Sequence, residues 1–189
     1  MAHAGEDPWS DPDRPHRYLA PRMAATPTIV LDHDQVRRKL ERIAHQLHEE
    51  HHRERQVVLV GISGRGSKLA ARLARMLADI APFTVDVLEL SLDKDAPHAH
   101  PIGISAPPER LKGRAVVLVD DVLMSGRTLM HAAAHLVQVP VKRLTTVVLV
   151  DRRHRTFPIR ADIVGLTLST TLQEHISVEL GRRDKVQLS

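Results

Sequence analysis

The chain has 189 residues and a formal net charge of +4, with 42% hydrophobic but only 2% aromatic residues. Its length suits one domain, with a core built from Leu, Val, Ile and Ala, and its basic balance suits anionic partners without choosing among them. Having no cysteine, it excludes disulfides and thiolate metal sites. No apolar run is long enough to span a bilayer and no signal-peptide core opens the chain, so no membrane association and a cytoplasmic location are expected.

Residues 1–27 are rich in Pro, Asp, Arg and His and show no periodicity, which predicts a disordered extension ahead of a domain over 28–189. Trp9 and Tyr18 fall in that extension, and Met23 is an alternative start. After Ile29-Val30-Leu31, Asp32 or Asp34 is suited to cap a helix. Val36, Leu40, Ile43, Ala44 and Leu47 recur at helical spacing. His45, His48, His51 and His52 read as a solvated helix end rather than a metal cluster.

Gln56 to Ile62 is a buried strand running into Gly61-Ile62-Ser63-Gly64-Arg65-Gly66. A helix with Leu69, Leu73, Met76, Leu77 and Ile80 on one side follows. The glycines let backbone amides approach an anion closely, and Arg65 offers a guanidinium to phosphate oxygens. Thr84 to Leu92 is the next strand. The long segment from Asp93 to about Lys112 has several prolines and few large apolar residues, which predicts a functional lid.

Val116-Val117-Leu118-Val119 opens the most informative stretch. A strand buried on both faces should end at Asp120-Asp121, and Val122-Leu123-Met124-Ser125-Gly126-Arg127-Thr128 then leads into a helix over Leu129 to Leu136. Loop amides and a helix N-terminus receive phosphate. Ser125 and Thr128 add hydroxyls, and Arg127 shields charge. Asp120 and Asp121 are suited to accept bonds from ribose hydroxyls or to orient water on Mg2+. Pro140 stops the helix, and Thr145 to Val150 is another buried strand. Strands alternating with helices predict an α/β fold with a doubly wound parallel sheet, its motif loops gathered at the strands' carboxyl ends.

The 116–128 run resembles the phosphoribosyl pyrophosphate (PRPP) signature of type I phosphoribosyltransferases, and the Gly61–Gly66 loop resembles their pyrophosphate loop. A second stretch, Asp151-Arg152-Arg153-His154-Arg155-Thr156-Phe157-Pro158-Ile159-Arg160, is similar to the Asp-Arg-Gly-His-Arg-Glu-Leu-Pro-Ile-Arg run of the bifunctional pyrimidine operon attenuation regulator/uracil phosphoribosyltransferase family. Arg42-Ile43-Ala44-His45 adds to that likeness.

The resemblance implies the type I phosphoribosyltransferase fold with a small C-terminal hood over about 151–183. It implies Gly64 and Arg65 on pyrophosphate, and Asp120, Asp121, Val122, Leu123, Met124, Ser125, Gly126, Arg127 and Thr128 on ribose 5-phosphate. Catalysis would fall to Asp120, Asp121 and Arg65, with Asp120 and Asp121 on Mg2+ through water. Lys94 stands where the family has a phosphate-reaching Arg. Arg152 occupies a substrate-binding position, Arg160 is placed to donate to a base carbonyl, and Ile176 to pack on the base. The implied reaction is attack of uracil N1 on PRPP, giving UMP and pyrophosphate. A homo-oligomer is implied as well.

Two alternatives stand beside this: a UMP- and PRPP-sensing regulator that binds RNA through Arg152, Arg153, Arg155, Arg160, His45 and His154, and a purine phosphoribosyltransferase. Met124 weighs against the latter, because 6-oxopurine enzymes carry an Asp there that is proposed as general base. The chain also departs from the family. Leu166-Thr167-Leu168-Ser169 replaces Lys-Asn-Ile-Pro, Arg153 replaces a Gly and Asp93 a Tyr.

Overall fold

The computed structural model describes residues 27–153, 155–169 and 174–189. Residues 1–26, which make up nearly all of the expected extension and include Trp9, Tyr18 and Met23, lie outside the described residues, as does His154. The described chain runs β1 (Thr28–Leu31), α1 (His33–His51), β2 (Gln56–Ile62), α2 (Arg65–Ile80), β3 (Thr84–Ser91), β4 (Gly103–Ile104), β5 (Ala115–Leu123), α3 (Arg127–Leu136), β6 (Arg143–Arg152), β7 (Ile163–Leu168), β8 (Ile176–Glu179) and β9 (Lys185–Leu188).

Six strands form one sheet in the order β4-β3-β2-β5-β6-β7. All its pairs are parallel except that between β4 and β3. Apolar residues on one face, such as Val57, Leu59, Val117 and Leu149, pack with α1 and α2. Those on the other, such as Val58, Val60, Val116 and Leu118, pack with α3. Both faces are covered, which is why these strands read as continuous Val/Leu runs rather than alternating ones. After β2 the chain steps to β3 on one side, then returns to place β5 on the other. The crevice between the β2 and β5 carboxyl ends is thus the switch point where such sheets bind ligands.

A second sheet, β1-β9-β8, is antiparallel and joins the two ends of the described chain. The 151–183 stretch expected as a hood is therefore divided. β7 completes the main sheet beside β6, while β8 joins β1 and β9. Gly165 explains the closeness of β7: a Cβ there would stand 2.4 Å from the Leu149 carbonyl oxygen. Arg72 ties the small sheet to α2 through a 2.5 Å bond to the Asp184 carboxylate. Burial works against the Asp184 charge, but Arg72 and the Gly181 amide outweigh it and hold its carboxyl below the ordinary range.

The Asp93–Lys112 segment is less free than expected. β4 pairs with the end of β3, Arg110 reaches Asp86 at 2.6 Å, and Leu111 is buried. The part before β4 has ties as well: Leu92 and Ile102 pack on the core of the α3 face and Pro97 is buried. No helix among the described residues is long and apolar enough to cross a membrane.

Candidate active site

β5 does not stop at the acidic pair. It carries on to Leu123, with Val122 paired to Val150 and Leu123 to Asp151. Asp120 and Asp121 therefore sit inside the strand's last turns, 4% and 5% exposed. Leu123 belongs to the core on the α3 face and Val122 packs on the opposite core, and both also line the small cavity that the following loop surrounds.

The loop after β2 meets this pair from one side. Gly61 lies beside Val119 in the parallel register. Gly66 lies closer still: a Cβ on it would stand 2.8 Å from the Val119 carbonyl and 3.3 Å from an Asp120 carboxylate oxygen. Gly64 has φ 89°, the left-handed region that favours glycine. This packing delivers Arg65 to Asp121, Nη1 to Oδ2 at 3.4 Å. From the end of β3, Lys94 Nζ lies 3.9 Å from Asp120 Oδ1. Two cations from two loops thus face two buried carboxylates. Burial pushes the Asp120 carboxyl up to about 7 and the neighbouring Asp121 charge adds to that, while Lys94 works against it.

Met124, Ser125, Gly126 and Thr128 fold around a cavity of about 50 Å³ that Asp120 also lines. Gly126 starts α3 in the left-handed conformation, φ 85°, without a side-chain cap. Arg127 is exposed, and its Nη1 donates to the Asp95 carbonyl at 3.2 Å. The lid segment and this loop are thereby in contact.

The structure thus brings Gly64, Arg65, Lys94, Asp120, Asp121 and the Met124–Thr128 loop together. The tail residues are placed differently. Arg152 is buried at the end of β6. Arg160 is exposed, and its carbonyl accepts the Thr146 hydroxyl at 3.2 Å. Thr146 pairs with Leu118, two positions before Asp120, so Arg160 is set back from the sheet's carboxyl edge. Ile176 is 2% exposed and packed in the core, so it offers no face to a base. Residues 170–173 lie outside the described residues.

Sequence reasoning missed the support beneath the Met124–Thr128 loop. The Ser125 carbonyl accepts the Thr156 and Phe157 amides, each at 3.0 Å. A Cβ on Gly126 would stand 2.9 Å from Ile159 Cγ2 and 3.2 Å from the Phe157 carbonyl. The one available signal was Phe157 itself, one of two Phe in the chain.

Residues 28–181 match the family described as "Phosphoribosyl transferase domain". The chain is 40% identical over 169 residues to the "Bifunctional protein PyrR" of Pelotomaculum thermopropionicum, covering 86% of this chain and 93% of that protein. It is 42% identical over 162 residues to the protein of the same name from Streptomyces coelicolor, covering 82% and 84%. Among solved structures, the hypoxanthine phosphoribosyltransferase of Trypanosoma cruzi matches with a TM-score of 0.66 and 20% identity, covering 75% of this chain and 81% of that one. That likeness speaks to the fold alone.

Proposed function

The chain belongs to the phosphoribosyl transferase domain family, and on that premise we propose that it transfers ribose 5-phosphate from PRPP to uracil, giving UMP and pyrophosphate. The class of enzyme, a phosphoribosyltransferase close to the PyrR proteins, follows from the family; the base and the residue roles are our reading. One observation carries it: Arg65 and Lys94 converge on the buried pair Asp120-Asp121 beside an open, glycine-started helix. That arrangement suits a ligand with phosphates at two ends and hydroxyls between them.

In this reading the amides and hydroxyls of Met124 to Thr128 hold the 5-phosphate. Gly64, Arg65 and Lys94 hold pyrophosphate, and Asp120 and Asp121 accept the ribose hydroxyls. Uracil N1 forms a bond to the anomeric carbon as the bond to the pyrophosphate oxygen breaks, and the N1 proton is released. Positioning and charge stabilisation supply most of the acceleration. Met124 offers no proton acceptor, which supports a pyrimidine over a 6-oxopurine.

The donor set fits Mg2+. It is all oxygen, and Asp120, whose carboxyl is raised by burial and by the neighbouring Asp121 charge, gains from a cation. The described residues hold no group of three or more His or acidic side chains suited to a metal. Asp120 and Asp121 would therefore hold the ion together with water and the donor's own phosphates. Bound there, Mg2+ would neutralise charge on the leaving pyrophosphate.

A second reading, an RNA-binding regulator controlled by UMP, draws on the word "Bifunctional" in the relatives' names. The basic residues divide on this point. Arg153, Arg160 and His45 are exposed, but Arg152 is buried and Arg155 is paired with Asp151. Fewer cations thus face solvent than the sequence suggested. A homo-oligomer remains part of the proposal.

One assay tests the first reading: purified protein with Mg2+ and PRPP, offered uracil, hypoxanthine, guanine, adenine and orotate. UMP formation with uracil alone is expected. Turnover with a purine and none with uracil overturns the choice of base. No turnover with any base, together with UMP-dependent, salt-sensitive RNA binding, transfers the assignment to the regulator.

A further inference from the structure

Residues 155–162 are built as a strap, fastened at both ends. Near its start, Arg155 pairs with the Asp151 carboxylate. At its finish, the Asp162 carboxylate accepts the Thr146 amide at 2.7 Å and the Thr146 hydroxyl at 2.8 Å, while the Asp162 amide donates to the Thr146 carbonyl at 3.0 Å. Between these anchors it passes against the Met124–Thr128 loop.

Three donors meet the Ser125 carbonyl: the Thr156 and Phe157 amides at 3.0 Å and the Thr156 hydroxyl at 3.3 Å. In a planar trans peptide, C=O and the following N–H point in opposite directions. Fixing the Ser125 oxygen toward the strap therefore aims the Gly126 N–H away from it. Close packing of Phe157 and Ile159 against Gly126 holds that peptide in place. The Phe157 ring does a second thing. The Arg127 guanidinium carbon lies 5.6 Å from its centroid, and His131 meets the ring edge-on, 6.5 Å between centroids at 64°. Arg127 has no carboxylate partner among the described residues' ion pairs; what orients it is this ring and the Asp95 carbonyl.

We propose that Phe157 is a positioning residue for the donor's 5-phosphate: its ring holds Arg127, and its amide, with Thr156, holds the Ser125–Gly126 peptide in the phosphate-receiving orientation. This deepens the reading of Met124–Thr128 as the 5-phosphate loop and rests on it. A ring face attracts a guanidinium more strongly than an aliphatic side chain of similar bulk does, so the effect belongs to the aromatic face as well as to packing.

The test compares Phe157→Leu, Phe157→Tyr and Phe157→Ala with the wild type, in direct titrations with ribose 5-phosphate and in steady-state kinetics. Thermal melting confirms that each variant is folded, and Phe157→Leu, which keeps bulk, serves if Phe157→Ala does not fold. Phe157→Leu is expected to weaken ribose 5-phosphate binding and raise KM for PRPP about three- to tenfold. KM for the base should stay unchanged, and Phe157→Tyr should restore wild-type values. Folded Phe157→Leu with wild-type ribose 5-phosphate binding overturns the proposal while leaving the 5-phosphate loop intact. So does an equal rise in KM for both substrates. A wild-type protein that turns over PRPP but shows no response of ribose 5-phosphate binding to Gly126→Ala removes the underlying reading of the loop, and the proposal with it.

Discussion

The three long helices begin in two different ways. α1 caps itself. The Asp32 carboxylate accepts the Gln35 amide at 2.8 Å, the Gln35 side chain accepts the Asp32 amide at 2.8 Å, and Asp34 adds negative charge to the first turn. α2 and α3 begin at Gly64 and Gly126, with no side-chain cap, no acid in the first turn, and Arg65 or Arg127 as the first helical residue. A helix N-terminus carries positive partial charge and unpaired amides, so α1 has what an isolated helix needs and the other two lack it. At α3 only Ser125 Oγ approaches, 3.2 Å from the Arg127 amide. Helix starts that add cation to a positive pole lose stability in isolation and gain an anion site. Both stand beside the acidic pair, which makes the comparison a division of labour under the proposed function: α1 would serve the fold, and α2 and α3 the donor.

The harshest way to break the comparison is to remove the carboxylates that face the two open helix starts. The double change Asp120→Asn with Asp121→Asn is expected to lower kcat/KM for PRPP about a thousandfold or more, with a melting temperature no lower than wild type. Unchanged kinetics would show that the two helix starts serve something other than this donor.

The next effect is smaller and separates the two open starts from each other. At Gly126 an alanine meets both a left-handed backbone and a Cβ 2.9 Å from Ile159 Cγ2. At Gly64 the φ of 89° is equally foreign to an L residue, but nothing stands within 4 Å of the added carbon. Backbone strain of about 1–2 kcal/mol applies to both, and the clash only to Gly126. KM for PRPP should therefore rise more than about tenfold in Gly126→Ala and less in Gly64→Ala. Equal values measured side by side would mean that the strap does not constrain the loop.

A several-fold effect should follow pH. Burial, reinforced by Asp121, raises the Asp120 carboxyl to about 7, above the ordinary carboxylate value of about 3.9. Between those values the folded protein binds more protons than the unfolded chain. This group's contribution is thus fully present below pH of about 4 and is lost as pH rises through about 7. The metal-free protein should melt at a lower temperature at pH 8 than at pH 5, and Asp120→Asn should reduce that difference. Donor binding needs the anion and should strengthen over the same range. Since Lys94 opposes the shift, Lys94→Ala should move the midpoint upward.

How much of this was legible follows the range of the contacts. The Val/Leu runs of β2, β5 and β6, the apolar faces of α1 to α3, and the Gly–Arg loop are local patterns, and the structure places them where the sequence put them, except that β5 runs past the acidic pair to Leu123. The second sheet joins Thr28 to Leu188 across the chain's length, and no local pattern announces such a pairing, although Ile176-Ser177-Val178-Glu179 does alternate as a half-buried strand should. The tail depends on such distant contacts too. Arg160 and Ile176 were assigned by likeness to a motif; in the structure Arg160 is exposed with its carbonyl accepting the Thr146 hydroxyl, and Ile176 packs in the core. The end of the site proposed for the donor is built from loops adjacent to their strands. The base's end depends on where a long return segment comes to rest.

The smallest expected effect tests the other half of the comparison. Asp32→Ala removes the α1 cap and leaves the Gln35 amide without its partner. The loss is expected to be about 1 kcal/mol of stability, read as a lower midpoint in denaturant with an unchanged slope. Kinetic constants for PRPP should not move, because the cap lies on the helix that has no part in holding the donor. The reverse substitution sharpens the point. Gly64→Asp gives α2 the carboxylate that α1 already has, on a backbone of φ 89° and ψ −109° that glycine alone adopts freely, so Gly64→Ala, with the same backbone cost and no charge, is its control. If the open start of α2 exists for an anion, Gly64→Asp should melt no lower than Gly64→Ala and lose PRPP binding well beyond it, since a carboxylate would compete for the amides and repel the phosphates. A variant that is both stable and active would mean that the bare helix start is an accident of the turn after β2.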